Sequence, residues 1–512
     1  MNSRKLRTLA ALVLLTGFAG YQALHLSKDA GQHARSHAAT VPPVKPTHLG
    51  SLTFLPCTLR SPQGGDGLQA QCGSFEVPED RAHPEGRKLR LNVAWLQASG
   101  GGKALPDPVF FLAGGPGQSA VQTYPGLDPV FAEVRKQRDV ILVDQRGTGS
   151  SNLLSCDALM DDDDADSSPE AMQQQAAQCA QQLARKADLR FYTTTDAVAD
   201  LDAVRRAIGA AQINLVGVSY GTRVAQQYAM RHPQATRSIV LDSVVPNTLG
   251  LGNIFARNLD DALALQFGVC SKQPACRAQL GDPRAELDTL LTTLRAKPVE
   301  VDYRDATSGE PAHGVLRPES VAGLVRMYAY MPLASSLLPK MIKEANAGHY
   351  ENLMALTQML YGEMKGAMAM GMQLSVTCSE DADSMMSRTE DAGTVLGNQM
   401  PVGMAAMCKV WPKGHMPADF HRALATPVPA LVLEGEFDPV TPPRYGQEVV
   451  KTLPNGRLFI LRGQGHNVIG AGCMPKLFAQ FVEKADAKAL DGRCLDTLAY
   501  AQPFINFNGP AP

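Results

Sequence analysis

Apolar residues in this chain gather in short unbroken runs, and most of these runs end in glycine turns. Pro108-Val109-Phe110-Phe111-Leu112 leads into Ala113-Gly114-Gly115-Pro116-Gly117. Val140-Ile141-Leu142-Val143 leads into Asp144-Gln145-Arg146-Gly147-Thr148-Gly149. Ile213-Asn214-Leu215-Val216 leads into Gly217-Val218-Ser219-Tyr220-Gly221. Runs this short, without polar alternation, suit strands covered on both faces in a parallel sheet. Residues 238–242, 430–435 and 457–461 read the same way. Before them, residues 52–72 and 73–78 read as short strands and residues 89–96 alternate like a half-buried strand, so the chain begins β-rich.

Helical spacing fills the intervals between these runs. Residues 169–187 and 195–208 are helical patterns, the second with Val198, Leu201, Val204 and Ile208 on one face and Thr195 or Asp196 as its cap. Further helices are expected over residues 223–231 and 475–485. From Asn247 to about Met404 the alternation stops, and the stretch is mainly helical and rich in methionine. Met354, Met359, Met364, Met368, Met370, Met372, Met385 and Met386 either fill irregular packing or form an adaptable apolar wall. The layout predicts an α/β fold: a mostly parallel sheet with helices on both faces and a mainly helical lid inserted after the half that carries Ser219. The expected units are 51–246 for the first half of the core, 247–404 for the lid and 405–512 for the second half.

The N-terminus adds a targeting segment. Arg4, Lys5 and Arg7 precede an apolar stretch over residues 9–24, the layout of an export signal. Phe18, Tyr21 and Gln22 crowd the cleavage positions, so residues 1–26 are read as an export signal or an uncleaved membrane anchor. Residues 27–50 are polar, end in a proline-rich run, and read as a tether. The protein is expected to be exported, either periplasmic or secreted, or attached to the membrane through this segment. A net charge of -2 over 512 residues supplies no basic field, which excludes nucleic acid as the expected partner.

Ten cysteines in an exported chain predict disulfides. The sequence does not fix their connectivity; pairing neighbours, which closes the shortest loops, would join Cys57 with Cys72, Cys156 with Cys179, Cys270 with Cys276, Cys378 with Cys408, and Cys473 with Cys494. Neither C-x-x-C nor a compact Cys/His cluster is present, so no metal site is expected. Asp161 to Asp164, with Asp166, lacks the ligand spacing and glycine of a calcium loop and reads as a solvated acidic run.

Ser219 carries the candidate chemistry. A serine between a strand and a helix, with glycines two residues either side, occupies a sharp turn that exposes its hydroxyl as a nucleophile. That hydroxyl needs an imidazole to take its proton and a carboxylate to orient the imidazole. Of eleven histidines, His466 alone stands in a glycine-containing loop just after the last strand. Asp438 follows the preceding strand; its rivals are Asp242, Glu434 and Glu436, of which Asp242 reads as a loop brace. The order Ser219, Asp438, His466 is that of α/β-hydrolases, with the partners at carboxyl ends of strands. The oxyanion donors are expected to be the N–H groups of Tyr220 and, because Pro116 has none, Gly115. A phosphate loop is the rival reading of these glycines, but neither nucleotide motif is present. Arg146 is expected to pair with a carboxylate near the site, and no cofactor is required.

Four segments together, residues 113–117, 144–151, 217–222 and 435–442, resemble the proline iminopeptidase and tripeptidyl aminopeptidase group of α/β-hydrolases, above all its exported tripeptidyl aminopeptidase branch. The resemblance implies a serine peptidase that releases residues or short peptides from a free N-terminus through an acyl-enzyme. Ala113 stands where the proline iminopeptidase pattern has histidine, which argues against removal of a single proline. Residues 375–381 resemble the segment after the lid, implying Glu380, with Asp381 beside it, as anchor for the substrate's α-amino group. The rival reading is an ordinary exposed acid beside a disulfide. A peptide or other small acyl compound is the expected substrate. A carboxylic-ester hydrolase with the same triad is the alternative, and a non-catalytic binding protein on this fold is opposed by the complete Ser, Asp and His set.

Overall fold

The apolar runs become the strands of a single ten-stranded sheet. The computed structural model describes residues 45–62, 64–156, 168–364, 366–506 and 508–509. The expected leader, most of the tether and the acidic run at 161–166 lie outside the described residues. In chain order the strands are β1 (Thr47–Leu49), β2 (Leu52–Leu59), β3 (Leu68–Pro78), β4 (Lys88–Leu96), β5 (Val109–Leu112), β6 (Val140–Val143), β7 (Ile213–Val218), β8 (Thr236–Asp242), β9 (Val299–Arg304), β10 (Pro311–Leu316), β11 (Ala430–Gly435) and β12 (Gly456–Leu461). The large sheet runs β1-β2-β3-β4-β6-β5-β7-β8-β11-β12. β1 to β4 pair antiparallel and β4 is antiparallel to β6, whereas every pairing from β6 through β12 is parallel. This is the expected mostly parallel sheet with a β-rich start.

Alternate residues of the central strands face opposite layers. Phe110, Leu112, Ile141 and Leu215 enter one core, and Val109, Phe111, Leu142 and Val216 enter the other. Both layers are covered: the helices Pro169–Leu183, Thr194–Ala207 and Tyr220–Arg231 contribute to the first, and Asp128–Arg135 and Met474–Lys484 to the second. Double coverage is why these strands show no polar alternation. The helix after residue 193 begins earlier than expected. Thr193 is its cap, its hydroxyl accepting the Asp196 N–H at 3.2 Å while the Asp196 carboxylate accepts the Thr193 N–H. The tether also ends earlier, because β1 turns at Gly50 and pairs with β2.

The inserted region is helical with one departure. Helices from Phe255–Ser271 to Glu351–Met364 surround their own core of Leu259, Leu263, Leu290, Leu294, Val321 and Leu353. The hairpin β9–β10 belongs to it, where Val299, Val301 and Tyr303 alternate with charged residues inside a stretch expected to be helical. Met370–Glu380 and Gln399–Cys408 instead send Met372, Leu374, Val376 and Met407 into the main core. Between these two helices, Val395 and Leu396 return to the insertion's own core. Met354, Met372 and Met385 are buried, which fits the packing role. All ten cysteines pair in sequence order. Among the described residues no helix is long and apolar enough to cross a membrane.

Candidate active site

Ser219 sits between β7 and the helix Tyr220–Arg231 with φ 54° and ψ −124°. For a residue with a side chain this backbone is strained, and it persists because the surroundings hold it. The Ser219 N–H donates to the Asp242 carbonyl at 2.9 Å, and the Ser219 carbonyl accepts the Thr222 hydroxyl at 2.6 Å. Gly221 allows the helix to start against β5, since a Cβ there would stand 2.2 Å from the Leu112 carbonyl oxygen. Gly221→Ala is accordingly expected to destabilise the fold by about 3 kcal/mol, the scale of core overpacking. A urea melt checks it, and an unchanged midpoint would contradict the packing argument.

The acid and the histidine meet as expected. His466 Nδ1–H donates to Asp438 Oδ2 at 2.7 Å, which leaves Nε2 with its lone pair. Asp438 has no exposed side-chain surface. Its Oδ1 accepts the N–H groups of Val440 and Thr441, both at 2.8 Å, and its Oδ2 also accepts the Thr441 hydroxyl at 2.9 Å. Four donors on one buried carboxylate hold it oriented.

The rival acids have other tasks. Asp242 accepts the N–H groups of Val468 and Ile469, bracing the histidine loop, and burial pushes its carboxyl up to about 6. Glu436 receives the Gly463 N–H and the Tyr500 hydroxyl. Glu434 is buried, and desolvation together with the Asp438 charge drives its carboxyl well above the ordinary range. Arg146 is buried and pairs with Asp200 at 2.6 and 2.8 Å, as its expected structural role requires.

The glycine turn after β5 touches the nucleophile. A Cβ on Gly114 would lie 3.2 Å from Ser219 Cβ, and Gly115 has φ 109°. Among the described residues, the N–H groups of Gly115 and Tyr220 have no backbone acceptor. Met368 covers this turn: its Sδ is 3.1 Å from where a Cβ would stand on Gly115 or Gly117, and the Ala369 N–H donates to the Gly117 carbonyl at 3.0 Å. Only the methionine density of the segment hinted at that contact.

Glu380 and Asp381 depart from expectation, for they are neither free anchors nor exposed acids. Both have fully buried side chains. Glu380 accepts the Thr194 N–H at 2.6 Å and the Thr194 hydroxyl at 2.9 Å, and Thr194 Oγ1 is 2.6 Å from the Tyr220 hydroxyl. Burial pushes the Glu380 carboxyl up to about 8, against the pull of Arg223. Asp381 is paired with buried Arg223 at 2.9 and 3.2 Å. The two acids therefore brace the start of the nucleophile helix from beneath Tyr220. Thr441 on Asp438 and Tyr330 on His466, whose rings are 5.0 Å apart, complete the site without having been singled out in the sequence.

Comparison with known proteins adds three findings. The family described as the alpha/beta hydrolase fold matches residues 107–470. Serine protease Hip1 of Mycobacterium tuberculosis is 25% identical over 458 residues, covering 82% of this chain and 86% of that protein. Tripeptidyl aminopeptidase of Streptomyces lividans is 26% identical over 438 residues, covering 78% of each. Among solved structures, proline iminopeptidase of Mycobacterium smegmatis aligns with a TM-score of 0.41 at 17% identity, over 80% of this chain and 98% of that one.

Proposed function

Because this chain belongs to the alpha/beta hydrolase family, we propose that it is an exported serine peptidase that releases residues or short peptides from free N-termini. The observation that carries the reading is the oriented pair of His466 and Asp438, 2.7 Å apart, in a fold that also holds Ser219 at a strained, glycine-flanked turn. The relatives named as a serine protease and a tripeptidyl aminopeptidase supply the substrate class.

In this mechanism His466 Nε2 takes the proton of the Ser219 hydroxyl as Oγ attacks the peptide carbonyl. The N–H groups of Gly115 and Tyr220 hold the resulting oxyanion. His466 then returns the proton to the leaving amine, and water, activated by the same imidazole, releases the acyl group from Ser219. Asp438 keeps the imidazole in the useful tautomer throughout. Five disulfides fit the oxidising compartment that an exported protein meets. Residues 1–26 are proposed to direct that export, as a leader or a membrane anchor.

The test is incubation with matched peptide amides, one with a free N-terminus and one N-acetylated. The free peptide is expected to be cleaved at least about 100-fold faster, the scale on which an enzyme specific for a polar group rejects the analogue that lacks it. Equal cleavage of the two would remove the free N-terminus from the reading, and cleavage of neither would remove the peptidase.

A further inference from the structure

The loops that carry the acid and the base are both fastened to the insertion. Gln266, buried on the helix Phe255–Ser271, donates from Nε2 to the Ala329 carbonyl at 2.9 Å and to the Phe437 carbonyl, one residue before Asp438, at 3.2 Å. Asn258 on the same helix donates to the Val440 carbonyl, two residues after Asp438, at 2.6 Å. On the other side, the His466 N–H donates to the Tyr330 carbonyl at 2.9 Å, and the Tyr330 ring meets the imidazole edge-on with 68° between planes. Gly465 permits this approach, since a Cβ there would stand 2.1 Å from the Tyr330 oxygen. Tyr330 is itself fixed: Arg326 donates to its hydroxyl at 3.2 Å and lies over the Phe255 ring at 5.0 Å.

A lid that only admits substrate would have no need of such contacts. We propose that the insertion is the positioning scaffold of the acid and base pair, with Tyr330 and Gln266 as positioning residues. It sets kcat in addition to covering the site. The Gln266 and Asn258 side chains, bonded to the backbone on both sides of Asp438, and the His466 N–H bond to Tyr330 place the two Cα atoms, and the Tyr330 ring limits rotation of the imidazole. The inference rests on Asp438 and His466 as the acid and base proposed above, but it does not depend on peptides being the substrate.

The experiment compares the parent with Tyr330→Ala and Tyr330→Phe, on a free peptide amide and on p-nitrophenyl acetate, an ester too small for entry to limit it. Misplacing a catalytic group by about 1 Å costs on the order of 100-fold, so Tyr330→Ala is expected to lower kcat by at least about 10-fold on both substrates. KM stays within about two-fold, because a group that acts in the transition state is displaced without loss of ground-state binding. Tyr330→Phe keeps the ring and the backbone bond and is expected to retain the parent kcat. Should thermal melting show that the alanine variant does not fold, Tyr330→Leu replaces it with the same expectation. An alanine or leucine variant with parental kcat on the ester, whatever its KM for peptide, would overturn the proposal, as would a phenylalanine variant that falls as far as alanine. A parent active on the ester but inert to peptides refutes the peptidase reading alone, and the ester series still decides this inference. A parent inert to both overturns both.

Discussion

Ser219→Ala is expected to lower kcat on a free peptide by about 10^6-fold, the scale on which a serine triad loses its nucleophile. The Ser219 Cβ lies 3.2 Å from where a Cβ would stand on Gly114, which puts the hydroxyl beside the glycine turn of residues 114–117. The fold should survive the change. Ser219 is held by its backbone N–H, which donates to the Asp242 carbonyl, and by its backbone carbonyl, which accepts from Thr222. Alanine keeps both bonds and meets the same φ of 54°. The check is twofold: initial rates on the peptide amide, and intact-mass labelling with a fluorophosphonate, which should add one adduct to the parent and none to the variant. Labelling that persists in Ser219→Ala, or a loss of less than about 100-fold, would mean that the nucleophile lies elsewhere.

Asp438→Asn is expected to lower kcat by about 10^4-fold with little change in stability, through the imidazole tautomer. The asparagine has to choose which side of the former carboxylate receives its NH2 group. Oδ1 faces two backbone donors, Val440 and Thr441, each at 2.8 Å, so an NH2 group there would oppose two fixed N–H groups. The amide oxygen must take that side, and the NH2 group then faces His466 Nδ1 at the former Oδ2 position. It donates to Nδ1, which forces the proton onto Nε2 and removes the base that Ser219 needs. Alanine is the poorer probe, because it strands two buried N–H groups and is expected to cost about 2 kcal/mol or more in stability. Rates on the peptide amide together with a thermal melt decide the matter. An asparagine variant within about 10-fold of the parent would show that Asp438 is not the orienting acid, leaving Glu434 or Asp242 to be tested in its place.

The parts of the site that were legible in the sequence share one property: each is announced by its immediate neighbours. Ser219, Asp438 and His466 all follow an apolar run closed by a turn, and an open sheet puts such loops on one edge whatever lies between them in sequence. The parts that were missed depend on distant partners. Glu380 meets Thr194, 186 positions away, and that contact ties it to the start of the nucleophile helix. The hairpin β9–β10 was hidden for a different reason, since its short period-2 stretch is surrounded by strong helical spacing. Likewise the helix cap moved to Thr193 because the reciprocal bond with Asp196 outweighs the cap positions that spacing favoured.

By itself, then, the sequence determined the succession of strands and helices along the chain, the doubly covered sheet, the nucleophile turn and the chemical types that stand at the strand ends. These follow from local periodicity and from where glycine permits a backbone that other residues resist. Only the tertiary structure decided which carboxylates are buried and which groups they pair with, that Met368 lies on the glycine turn, and that the insertion grips Asp438 and His466 from both sides. Whether a buried acid is charged, or a loop is held, depends on which groups packing brings against it, and that is a property of the assembled core, not of any segment.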